Sequence, residues 1–132
     1  MQRIINILAA LVMVSGVAPA PAHHSGAIWD ASKTLTLFGF VKEYQWTNPH
    51  CWIQLVVPSV DQATGTTEEW SIEMAAPIQL LQGGWKPGTL KAGDHISVTV
   101  HPARDGHRAG NFMSAVGADG QTLGKAKQER TP

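Results

Sequence analysis

Apolar residues recur at every second position over much of the chain, and this alternation predicts a series of short strands. Over residues 33–46, Leu35, Leu37 and Val41 fall on one parity and Phe38, Phe40, Tyr44 and Trp46 on the other, so both faces of the first strand are apolar. Gly39 interrupts its middle, which predicts a bend or bulge of the kind a barrel needs where a strand turns a corner. Thr47-Asn48-Pro49 reads as a turn. Over residues 50–57, Cys51, Ile53, Leu55 and Val57 share one side, and residues 58–66 read as a hairpin loop. Residues 67–74 alternate cleanly, with Trp70, Ile72 and Met74 inward and Glu69, Ser71 and Glu73 outward. Residues 77–82 predict a short helix opened by Pro77 and closed by Gly83-Gly84, followed by a loop through Gly93. A fourth strand over 95–101 buries Ile96, Val98 and Val100, and a fifth follows over 111–116.

Five strands, with a helical segment between the third and fourth, predict an all-β fold with one short helix: a small five-stranded OB-like barrel, with an open β-sandwich as the competing architecture. The alternation spans residues 33–124 as one domain, without internal repeat or linker. Residues 23–32 read as an N-terminal tail and residues 125–132 as a disordered tail.

The first 22 residues have a different composition. Arg3, an apolar run from Ile4 to Val17, and small residues at Ala18, Ala20 and Ala22 together read as a secretory signal peptide. Cleavage after Ala20 would leave Pro21 beside the cut, a poor geometry for signal peptidase; cleavage after Ala22 leaves His23 first. The apolar run falls short of the roughly 20 residues a membrane span needs, so the expectation is a periplasmic or secreted protein with no membrane span after cleavage. Ten Lys+Arg oppose ten Asp+Glu, and the loss of Arg3 leaves a net charge of −1. Such a surface argues against nucleic-acid binding, which relies on positive charge.

Candidate chemistry centres on histidine, of which the chain has six. An N-terminal His23 offers an amine and an imidazole from one residue, a chelate suited to a borderline ion such as Cu(II). A third nitrogen from another histidine would complete a brace. Alternatively, the amine, a deprotonated amide and the His24 imidazole supply three nitrogens from the tail itself. His50, held just after Pro49 and flanked by Trp46 and Trp52, is the further candidate ligand. His95 and His101 lie six residues apart on one strand, roughly 20 Å at about 3.3 Å per residue, too far to share an ion. A hairpin could set His101 opposite His107, although two loop histidines are the simpler reading. Met74 shares parity with Trp70 and Ile72 and reads as core, and Glu69 and Glu73 are too far apart to act as an acid/base dyad. Cys51 is the only cysteine, which excludes an intramolecular disulfide and fits a buried, inert thiol. No serine-nucleophile elbow or phosphate loop occurs.

His23-His24-Ser25, the run from Gly39 to His50 with its Thr47-Asn48-Pro49-His50 turn, the strand Glu69-Trp70-Ser71-Ile72-Glu73-Met74, Gly84-Trp85, Gly93-Asp94 and His101-Pro102-x-Arg104-Asp105-Gly106 together resemble the DUF6152 family of small exported bacterial proteins. The resemblance implies secretion and a small β-rich domain, and brings no activity with it. The residues then lead to a periplasmic metal-binding protein, copper being the favoured ion, that sequesters or delivers the ion through His23, His24 and His50. A non-catalytic OB-type module binding a protein or small molecule through Trp46 and Trp52 is the alternative, and a histidine-brace copper oxidative enzyme is the third reading. No catalytic set is identified.

Overall fold

The alternating stretches form β1 (Leu35–Gln45), β2 (Trp52–Pro58), β3 (Thr67–Glu73), β4 (His95–Pro102) and β5 (Ala109–Gly117), with the helix α1 (Pro77–Gln82) between β3 and β4. They are seen in a computed structural model that describes residues 28–59 and 65–124. The expected signal peptide, His23, His24 and the C-terminal tail lie outside the described residues. The strands close in the order β1-β2-β3-β5-β4. This is an OB-type barrel, and the open sandwich is set aside.

β1 is long enough to serve two neighbours. Residues Leu35 to Phe40 pair with β4 and residues Phe40 to Gln45 pair with β2, so the handover falls beside Gly39. A Cβ on Gly39 would stand 2.2 Å from the Val56 carbonyl oxygen, so only glycine lets β2 approach there. The register irregularity itself lies further on, between Val41 and Glu43. Lys42 sits at that break and its Nζ donates to both carboxylate oxygens of Glu69, each at 2.8 Å.

Closure leaves an interior filled by one side of each strand. Val41, Cys51, Ile53, Leu55, Ile72, Val98 and Val100 are fully buried, and each large aliphatic contributes about 1.5–3 kcal/mol relative to an exposed position. The loop after α1 also feeds this core. Trp85 is buried, stacked edge-on against Phe112 with ring centroids 5.4 Å apart, and close to Tyr44. Between β3 and β5 the barrel is joined by a parallel ladder of three pairs: Ser71 with Ala109, Ile72 with Gly110, and Glu73 with Asn111.

Candidate functional site: a histidine and carboxylate cleft

The turn after β1 fixes the backbone of His50 before any side-chain chemistry begins. It contains a cis Asn48–Pro49 peptide bond, and the Thr47 hydroxyl donates to the His50 carbonyl at 2.7 Å. One residue later the β2–β3 ladder takes hold: Cys51 N–H donates to Ala75 O at 3.1 Å and Met74 N–H to Cys51 O at 2.9 Å. Because Trp52 pairs with Glu73, His50 stands diagonally across from Glu73 on the same face of the ladder. The His50 Nδ1 meets Glu73 Oε1.

Strand alternation predicts Glu73 on the outer, solvated side. It is instead 7% exposed, the one buried charged or polar residue among those described. Its parity is as expected; what differs is that the outside of the barrel is covered at this point. Trp29 forms a bridge with Ala103 beyond the end of β4. Asp30 N–H donates to Pro102 O at 2.8 Å and Arg104 N–H to Ile28 O at 2.9 Å, so the segment ahead of β1 is laced to the barrel. Asp30 locks the next turn: its Oδ1 accepts from Ser32 N–H and Oγ, and its Oδ2 meets Lys33 Nζ at 3.1 Å. The Ser32 hydroxyl and the Lys33 ammonium hold its carboxyl down at about 2.

Trp29, His50, Glu73, Met74, Asn111 and Phe112 are among the residues lining a cleft of about 290 Å³, and among the described residues Glu73 is the only carboxylate in its walls. The His50 side chain is 37% exposed. The cleft thus brings together a half-open imidazole, a covered carboxylate and the first described tryptophan of the chain. Sequence reasoning identified His50 and missed Glu73 and Trp29. The 22 residues between His50 and Glu73 hide the contact, and no local pattern marks Trp29 as part of the same cleft.

The other candidates are separately engaged. His101 Nδ1 lies 2.8 Å from Lys33 O, His107 Nδ1 meets Asp105 Oδ1, and the His95 ring packs on Phe40. His95 pairs with Phe40 and His101 with Asn111, toward opposite ends of β4. Glu69 is tied to Lys42 while Glu73 is tied to His50. Trp46 packs against the core, edge-on to Tyr44, whereas Trp52 stands between Gln45 and Glu73 in the ladders. Cys51 is fully buried, its thiol donates weakly to Thr47 O at 3.8 Å, and burial pushes its pKa up, away from the reactive thiolate. Among the described residues no group of three or more His, Cys, Asp or Glu side chains is placed to hold a metal ion, and no helix is long and apolar enough to cross a membrane.

The sequence matches DUF6152, described as a family of unknown function, over residues 10–112. No match is found among curated proteins. Among solved structures, the mitochondrial single-stranded DNA-binding protein Rim1 of S. cerevisiae is similar at 11% sequence identity, with a TM-score of 0.47, over 71% of this chain and 97% of that one.

Proposed function

Because the chain belongs to the DUF6152 family, whose function is unknown, its chemistry has to be argued from its own residues, and we propose that it is an exported periplasmic protein that binds a copper ion and stores it or hands it on. In this reading signal cleavage after Ala22 frees the His23 amine. That amine and the His23 imidazole make a chelate, His50 Nε2 supplies a third nitrogen, and His24 is the alternative tail donor. All these donors are borderline nitrogens, a set that favours Cu(II) over harder ions.

One observation carries the reading: Trp29 and His50 line the same cleft. Trp29 lies six positions after His23, and six residues of chain reach at most about 20 Å. In this reading a new N-terminus at His23 stands within reach of His50, the one histidine lining the cleft among the described residues.

The test compares mature protein beginning at His23 with the same protein extended by one glycine, each titrated with Cu(II) and followed by the d–d band and paramagnetic resonance. The unextended form binds more tightly, and its affinity falls in His50→Ala but not in His107→Ala. Equal binding by both forms, or binding by neither, removes the amine from the site. Mass spectrometry of the exported protein checks the premise, and a first residue other than His23 ends it.

A further inference from the structure

An ionised carboxylate is costly to bury unless a partner holds it. Glu73 is buried on the outer side of its strand, where Glu69, four residues earlier on the same side, stays exposed. The other described residues in the cleft wall bring no charge; its partner is the His50 ring. This contact is not needed to hold the turn. The His50 backbone is already fixed on one side by the Thr47 hydroxyl and on the other by the Cys51–Ala75 and Cys51–Met74 hydrogen bonds. What Glu73 adds is control of the ring.

A neutral imidazole carries its proton on one nitrogen and a lone pair on the other. A carboxylate can only accept, so the nitrogen it meets has to be the donor. Nδ1 faces Glu73, which puts the proton on Nδ1 and leaves the lone pair on Nε2. Histidines that ligate metals typically donate their other ring nitrogen to a carboxylate or carbonyl in this way, which orients the ring and raises its basicity.

We infer that Glu73 is a positioning residue that fixes neutral His50 as the Nδ1–H tautomer and keeps its Nε2 lone pair available in the cleft for a divalent transition-metal ion. The metal half of this inference rests on the proposed function; the tautomer half does not.

The experiment reads the two halves separately. Long-range proton–nitrogen correlation spectra of histidine-labelled, metal-free protein, at a pH where the ring is neutral, show which nitrogen of His50 is protonated. Wild type gives Nδ1–H. Glu73→Leu shifts His50 toward Nε2–H, the form a free histidine side chain prefers, and Glu69→Leu leaves it unchanged. Should the leucine variant not fold, Glu73→Gln gives a smaller shift in the same direction, since its amide both donates and accepts. In the Cu(II) titration, removing Glu73 weakens binding by about 10–100-fold and alters the nitrogen hyperfine pattern. An Nε2–H tautomer in wild type, or a tautomer unchanged in both Glu73 variants, overturns the inference. A wild type that binds no Cu(II) but loses Nδ1–H in Glu73→Leu overturns the metal reading and upholds the control of the ring by Glu73.

Discussion

Two imidazole–carboxylate pairs in this protein use the same atoms and sit in different surroundings. His107 and Asp105 meet within one turn, two residues apart, with side chains 54% and 69% exposed. His50 and Glu73 meet across the β2–β3 ladder from 23 residues apart, with side chains 37% and 10% exposed. Water competes for every contact of the first pair and screens its charge, so a bond of that kind is worth little. The second pair has a carboxylate that water scarcely reaches, and leaving it without a partner carries a desolvation cost. The chemistry of the groups is equal; burial and chain separation set what each contact does.

The comparison breaks most sharply in a pair of double-mutant cycles followed by denaturant unfolding. The cycle His50→Ala/Glu73→Ala gives a coupling of about 1–3 kcal/mol, whereas His107→Ala/Asp105→Ala gives a coupling within error of none; equal couplings would erase the distinction. A smaller effect appears in single variants. His50→Ala strands the Glu73 carboxylate and lowers the melting midpoint by about 4–8 °C for each kcal/mol lost, while His107→Ala leaves the midpoint in place. The smallest effect is in acid. The His107 ring and backbone N–H hold the Asp105 carboxyl below its ordinary value, so its folded-state pKa is depressed. Its stabilisation is present above the ordinary value of 3.8 and disappears as pH falls through the depressed one. Because the group is largely exposed, the difference between wild type and Asp105→Asn across that window is slight and shrinks further in high salt; a large, salt-insensitive difference would mean that the loop pair is shielded after all.

Most of the barrel is legible in the sequence because strand alternation reports directly on which side chains face a shared interior. Pro77 and Gly83-Gly84 mark a helix over residues 77–82, and α1 spans Pro77–Gln82. Residue type and strand parity predict burial of Cys51 and Met74, and both are buried. Gly39 in mid-strand predicts a bend or bulge; the glycine is required by the Val56 carbonyl, and the bulge lies at Lys42. The site was half legible. Alternation gives the side of a strand on which a residue stands, and Glu73 does stand outward, but it is silent about what folds over that side. Trp29 reaches the same cleft by pairing with Ala103, 74 positions away, a contact carried by no local pattern.

The three-pair parallel ladder between β3 and β5 is the shortest join in the barrel. It is the seam, and its last pair, Glu73 with Asn111, is also part of the cleft wall. Local openings of a protein favour its least supported joins, so this edge is where the barrel would part first. Gly110, in the middle of the seam, has no room for even a methyl group, since a Cβ there would lie 2.7 Å from Val100; the seam cannot be reinforced by adding bulk. An ion drawing His50 and the N-terminal tail together over the cleft would act as a rivet across it. Loading the site would then be felt as slower parting of the barrel, and shedding the ion would be coupled to a momentary loosening of the wall that held it.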